Sequence, residues 1–257
     1  MGEYVEINGH PTWVDQRGSG DKTIVIMHGG MSNSDALEAL TEALAQQYRV
    51  VAFDRRGHGR TGDTDQPFHY DDMATEAIGV LEQVVGGPAH LVGWSDGGNV
   101  ALLVSMRRPD FLDRMVLIGA NFHYNGAMEV NVEPEFTTFI QAAYAERSPD
   151  GAEHFETHLG KAMTMMTTEP TLTTDELHGI ATSTLVLVGD DDLIKLSHTC
   201  ELYESLPAGQ LAVVPGTSHV LPIERPGETA RIILHFLETE VPPSTFMPIR
   251  RAVAHDS

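Results

Sequence analysis

The sequence predicts a mostly parallel, doubly wound α/β fold, and three observations carry that reading. Short apolar runs rich in β-branched residues, at 23–27, 49–53, 89–92, 114–119 and 184–189, alternate with stretches of helical periodicity. These runs are apolar throughout rather than at every second position, which is the pattern of strands buried on both faces. Several break at their C-terminal end into loops built from Gly, Asp, His and Ser, where open parallel sheets gather their ligand sites.

The elements follow in order. Residues 5–15 read as a first strand, with turn signals at Gly18-Ser19-Gly20-Asp21. The buried run at 23–27 breaks at His28-Gly29-Gly30. Residues 35–47 have helical spacing, with Leu37, Leu40, Ala43 and Leu44 on one face. The strand at 49–53 ends at Asp54-Arg55-Arg56-Gly57-His58-Gly59-Arg60. A helix at 73–85 carries Ile78, Leu81 and Val85 on its apolar side. The strand at 89–92 leads through Gly93-Trp94-Ser95-Asp96-Gly97-Gly98 into a helix at 99–106, and another strand follows at 114–119.

There the alternation stops. From Asn121 to Thr182 no strand is evident; residues 133–146 and 151–167 read as helices, with a helical turn at 174–177. This segment lacks Gly/Ser-rich composition, so it is a helical insertion and not a linker. The strand–helix rhythm returns with a strand at 184–189, a helix at 197–206, a strand at 210–214 and a helix at 227–237. The expected organisation is therefore a split core at 1–120 and 183–240, an insertion at 121–182, and a tail at 241–257 that opens with Pro242-Pro243 and has little periodicity.

With 257 residues the chain can bury one sizeable α/β core. Its net charge of −21 disfavours nucleic acid and anionic membranes as partners and reads as a solvated acidic surface. No run reaches the ~18 apolar residues of a membrane span. The first residues lack the basic and apolar segments of a secretory leader. Cys200 is the one cysteine, so no intrachain disulfide forms, which fits a reducing compartment; the expected location is cytoplasmic. Neither H-E-x-x-H nor Cys–His spacing occurs, and no Walker-type loop, so no metal or cofactor is expected.

The segment Gly93–Gly98 carries the chemistry. A serine between glycines at a sharp strand-to-helix turn is the nucleophile-elbow pattern, G-x-S-x-G. Side chains at Gly93 and Gly97 would collide with the strand or helix, and the turn points the Ser95 hydroxyl at a helix N-terminus, which favours developing negative charge. A serine hydroxyl needs a base, and the base an orienting carboxylate. After an elbow these come later in the chain, carboxylate first. Gly189-Asp190-Asp191-Asp192 and Gly216-Thr217-Ser218-His219 each follow a late strand. Asp190 and Asp191 compete with Asp192, since one of the three can instead cap the following turn.

His28-Gly29-Gly30, Asp54-Arg55-Arg56-Gly57-His58-Gly59, the elbow, Gly189-x-x-Asp192 and Gly216-x-x-His219 together make the chain resemble the α/β-hydrolase superfamily over essentially its whole length. The G-W-S-D-G-G elbow is similar to that of valacyclovir-hydrolase-like esterases. The resemblance implies an α/β-hydrolase fold with a small helical cap inserted after the sixth strand, lying over the strand ends. It implies Ser95 as nucleophile, His219 as general base and acid, and Asp192 as the carboxylate holding the imidazole; the G-x-x-D spacing favours Asp192 over its neighbours. Gly30 and Asp96 fall where the family's oxyanion-hole N–H donors sit, with Met31 an alternative to Gly30. His28 and His58 are expected to hold loops, as are Asp54 and Arg55.

In the insertion, Met163 and Met166 share a helical face, which suits either simple packing or an adaptable apolar wall for the substrate. Trp94, Phe122 and Met31 are candidates for the same wall, and His123 for the pocket lining. The expected activity is hydrolysis of small carboxylic esters, lactones or thioesters through an acyl-enzyme. The alternatives are amide or C–C bond cleavage or acyl transfer with the same residues, and a non-catalytic ligand receptor on this scaffold. Epoxide and dehalogenation chemistry is disfavoured because the elbow carries serine. A homodimer stays open.

Overall fold

Asn8 and Gly9 split the first predicted strand. Both adopt a positive φ, 53° and 82°, and make a tight hairpin between β1 (Glu3–Ile7) and β2 (His10–Arg17), which pair antiparallel with Ile7 opposite His10. Asn-Gly is the dipeptide that two-residue hairpins favour, and reading 5–15 as one strand overlooked it.

The remaining strands are β3 (Thr23–Met27), β4 (Arg49–Phe53), β5 (Ala89–Trp94), β6 (Leu112–Ile118), β7 (Thr184–Asp191) and β8 (Gly209–Ser218). In this computed structural model, which describes residues 2–129, 134–239, 245–247 and 249, they form one eight-stranded sheet ordered β1-β2-β4-β3-β5-β6-β7-β8. From β4 to β8 every neighbouring pair is parallel, and β1 and β2 make the antiparallel edge. The expected tail at 241–257 lies almost entirely outside the described residues.

Around the sheet run α1 (Glu38–Leu44), α2 (Tyr70–Val80), α3 (Asp96–Arg107), α4 (Pro134–Arg147), α5 (Phe155–Thr168), α6 (Thr174–His178), α7 (Leu196–Ser205), α8 (Leu221–Glu224) and α9 (Pro226–Glu238). Alternate residues of each central strand feed opposite cores. Val25, Met27, Val51, Phe53, Leu91 and Leu117 pack with α2, α3 and α7. Ile24, Ile26, Val50, Val92 and Val116 pack with Leu40 and Leu44 of α1 and Ile233 and Phe236 of α9. Burial on both faces is why these strands are apolar throughout.

Between β6 and β7 lie α4, α5 and α6. Ile140 and Tyr144 of α4 and Phe155 of α5 form a small cluster of their own. Polar contacts tie these helices to the core loops: the Lys161 ammonium lies 2.7 Å and His154 Nε2 2.9 Å from the buried Asp63 carboxylate, and Arg147 Nε lies 2.9 Å from Asp35. Sheet order places the site. β3 lies between β4 and β5, so successive connections leave in opposite directions and open a crevice at the strand ends. The loop after β3 and the turn after β5 face each other there, with Met27 opposite Gly93.

Candidate active site

The elbow is a consequence of backbone crowding. A Cβ on Gly93 would lie 2.2 Å from the Gly97 carbonyl oxygen, and one on Gly97 only 2.4 Å from the Met27 carbonyl oxygen, so neither position admits a side chain. Ser95 takes φ 53° and ψ −119°. Its N–H donates to the Ile118 carbonyl at 2.8 Å, and its carbonyl accepts from Gly98 N at 2.8 Å and Asn99 N at 3.1 Å, so the turn is held on both sides. The next residue, Asp96, begins α3, where backbone N–H groups have no partner within the helix.

His219 follows β8, and the Trp94 indole N–H donates to its carbonyl at 2.8 Å. His219 Nε2 lies 2.9 Å from Ser95 Oγ, and Nδ1 lies 2.8 Å from Asp192 Oδ1. Asp192 is buried, and its Oδ1 also accepts from Ile194 N at 2.8 Å. A carboxylate only accepts, so the imidazole proton sits on Nδ1 and Nε2 is left to accept the serine O–H. The three competing aspartates separate cleanly. Asp190 Oδ1 accepts from Gly216 N at 2.7 Å and Thr217 N at 3.2 Å and so caps the turn before His219, whereas Asp191 is exposed.

On the facing loop, His28 Nε2 accepts from Arg55 N at 3.1 Å, which puts the ring proton on Nδ1, 2.7 Å from the Gly29 carbonyl. The Arg55 guanidinium, fully buried, donates to the same carbonyl at 2.8 Å. Burial and Arg55 hold the His28 pKa well below the ordinary histidine value. Asp54 accepts from Ser34 N and Arg60 N, each at 2.8 Å, joining the two loops. Gly30 is flanked by Asp96 Oδ2 and Met166 Sδ, at 2.5 and 3.2 Å from where its Cβ would be. Met31 adopts φ 49°. The Asp96 carboxyl is buried; Oδ1 accepts from Tyr70 OH at 2.6 Å, and Oδ2 has no hydrogen-bond partner among the described residues. Burial, reinforced by Asp96, pushes the Tyr70 phenol well above its ordinary pKa.

The structure therefore brings together Ser95, Asp192, His219, Gly30, Met31, Asp96 and Met166, and separates the other expected pocket residues. Trp94 is buried in the sheet core, its ring against Gly29, and supports His219 from below. Met163 faces outward and is 45% exposed; its neighbour Met165 is the one that packs into the core. The two methionines are about 60° apart on α5 and do share a side of the helix, but Met166 lies over Gly30 while Met163 sits further round toward solvent. Phe122 and His123 line a separate groove of about 590 Å³ with Asn125, Lys195, His198 and Cys200, in which Phe122 stacks on His198 at 4.1 Å. Neither Ser95 nor His219 lines that groove.

Sequence reasoning missed Gly119, Tyr70 and the support from Trp94. Gly119 had a usable signal: glycines at 93, 119 and 189 close three successive strands, where backbones crowd around the site. Among the described residues no cluster of His, Cys, Asp and Glu is placed to hold a metal, and no helix is long and apolar enough to cross a membrane.

Residues 24–232 match the profile described as the Alpha/beta hydrolase family. The chain belongs to that family. The hydrolase is 25% identical to the human serine hydrolase BPHL, across 91% of this chain and 85% of that protein. Its fold is shared with the meta-cleavage product hydrolase of Pseudomonas fluorescens IP01, at 22% identity and a TM-score of 0.74 over 92% of this chain and 97% of the other. It is shared equally with the enol-lactonase of Burkholderia xenovorans LB400, at 18% identity and a TM-score of 0.75 over 91% and 99%.

Proposed function

We propose that this hydrolase cleaves small carboxylic esters, lactones or thioesters through an acyl-enzyme on Ser95. The observation that carries the reading is the hydrogen-bonded chain Ser95 Oγ–His219 Nε2, His219 Nδ1–Asp192 Oδ1, at 2.9 and 2.8 Å. In the proposed reaction, His219 Nε2 takes the Ser95 proton as Oγ attacks the acyl carbon. The carbonyl oxygen becomes an oxyanion, stabilised by backbone N–H groups of Asp96 and of Gly30 or Met31. His219 then gives its proton to the leaving oxygen or sulfur, and the acyl group remains on Oγ. Water attacks next, His219 takes its proton, and the acid departs as the proton returns to Ser95. Asp192 holds the imidazole in the required tautomer and stabilises the imidazolium formed between proton transfers.

The test is turnover of short p-nitrophenyl esters, thioesters and lactones together with labelling by a fluorophosphonate. Wild type is expected to turn over esters and take one label at Ser95, and Ser95→Ala to do neither. A folded wild type that takes no label at Ser95 sinks the reading.

A further inference from the structure

Three non-glycine residues among those described hold a left-handed backbone: Asn8, Met31 and Ser95. Asn8 sits in the hairpin turn, where asparagine is at home. The other two belong to the candidate site. A methionine or serine, unlike glycine or asparagine, persists in this region only where surrounding contacts impose it. For Ser95 those contacts are the crowded elbow. Met31 has two sets of contacts, those that pin its loop and those of its side chain.

The loop that carries Met31 is pinned at both ends by polar contacts to the core. Gly29 O is held by His28 and Arg55, at 2.7 and 2.8 Å. Beyond Met31, Ser34 N donates to Asp54 at 2.8 Å, and the Asn33 side chain accepts from Asp35 N at 3.0 Å. Met31 stands between these anchors. Its half-buried side chain packs against the main core cluster and also against the separate cluster of Ile140, Tyr144 and Phe155 on α4 and α5. That cluster's other half-buried apolar neighbour, Leu159, belongs to α5 itself. Met31 is thus an apolar link between the loop after β3 and the inserted helices. An unbranched, polarizable thioether suits a seam shared by two clusters. Glycine at 31 would take the same turn without strain and leave it unanchored.

We propose that Met31 is a positioning residue that couples the inserted helices to the oxyanion loop. Seating its side chain between α4 and α5 holds residues 30 and 31 in the turn that presents their N–H groups to the acyl oxygen. This rests on the ester-hydrolase reading, because a misplaced oxyanion donor slows only a reaction that builds an oxyanion. Its consequence is that the inserted helices govern the rate of the chemical step in addition to any contact they make with substrate. Met166, on the same α5, abuts Gly30, so a shift of α5 moves both supports of the loop together.

The experiment measures kcat and KM on p-nitrophenyl butyrate and the rate of fluorophosphonate labelling, for wild type, Met31→Ala, Met31→Gly, Met31→Leu, Phe155→Ala and the double variant Met31→Ala/Phe155→Ala. Met31→Ala and Met31→Gly are expected to lose at least about tenfold in kcat while KM moves little, since small misplacements of catalytic groups are costly. Met31→Leu, which keeps the volume, is expected to recover most of that loss. The double variant is expected to be no slower than the slower single variant, because both cut the same link. Leu159→Ala replaces Phe155→Ala if the larger truncation lowers the yield of folded protein. A wild-type kcat in Met31→Gly, losses that multiply in the double variant, or a raised KM with kcat unchanged would each overturn the coupling. Wild type that takes no label removes the hydrolase reading and the coupling together. Equal labelling rates for wild type and Met31→Ala remove the coupling alone.

Discussion

Gly119 lies so close beneath His219 that a Cβ there would stand 3.0 Å from Nδ1 and 3.1 Å from Asp192 Oδ2. Its φ is 56°, so a side chain is opposed by backbone conformation as well as by space. Gly119→Ala is expected to push the imidazole away from Ser95, lowering kcat by at least about tenfold. The conformational cost of about 1–2 kcal/mol should lower the melting temperature by a few degrees without unfolding the protein. Ester kinetics and a thermal melt check both; a wild-type kcat would show that the floor beneath His219 yields.

Asp192 and Asp191 are adjacent and differ completely in surroundings. Asp192→Asn leaves the shape of the site but favours the wrong imidazole tautomer, and kcat is expected to fall by about 10⁴. Asp191→Asn, at an exposed carboxylate, should run at the wild-type rate. Asp190→Ala removes the acceptor of two backbone N–H groups and is expected to cost about 1 kcal/mol of stability with a smaller effect on rate. Comparing kcat across the three variants decides which carboxylate orients the base.

Tyr70 donates to the buried Asp96 carboxyl at 2.6 Å, and the other carboxyl oxygen is already without a partner. Tyr70→Phe leaves both oxygens unsatisfied, which is expected to cost about 1–3 kcal/mol. Urea unfolding of the variant measures this; an unchanged midpoint would mean that Asp96 finds another donor.

His28, His58 and His158 form a buried row, the first pair tilted and the second edge-to-face, with ring centroids 5.2 and 4.7 Å apart, joining the core loops to α5. Burial is the first cause that pushes each below the ordinary value of 6.5, with His158 at about 4. Phe68, Tyr144 and Phe155 surround His158, with Asp63 raising its pKa and His154 and Lys161 lowering it. A depressed histidine pKa means that the unfolded chain binds protons the folded one refuses. Stability should therefore be fully present above pH 6.5 and fall as pH drops from 6.5 toward about 4. Denaturant midpoints across that range measure the slope, and His158→Phe should make it shallower. An equally steep loss in that variant would assign the acid sensitivity to other groups.

The central strands, their parallel character and the serine elbow are legible in the sequence, because each is a local pattern. A strand buried on both faces must be apolar throughout, as residues 23–27 are. A turn as tight as 93–97 must carry glycines, since the crowding comes from its own backbone and the adjoining strand. The Asn8-Gly9 hairpin was equally local and was overlooked. What the sequence could not decide was which side chains share a volume. Asp190, Asp191 and Asp192 are interchangeable as letters; only in the fold, where the β7–β8 register shifts between Gly189 and Asp191, does Asp192 meet the imidazole and Asp190 the turn. Met163 and Met166 look alike until α5 is anchored through Lys161 and His154 to Asp63, which fixes its rotation and turns Met163 to solvent. Met31 reads as one residue of a loop, and only the tertiary structure shows a positive φ there and a side chain packed against the cluster of α4 and α5. Local sterics and burial periodicity are written residue by residue; convergence depends on how distant segments dock, and that is settled by tertiary packing.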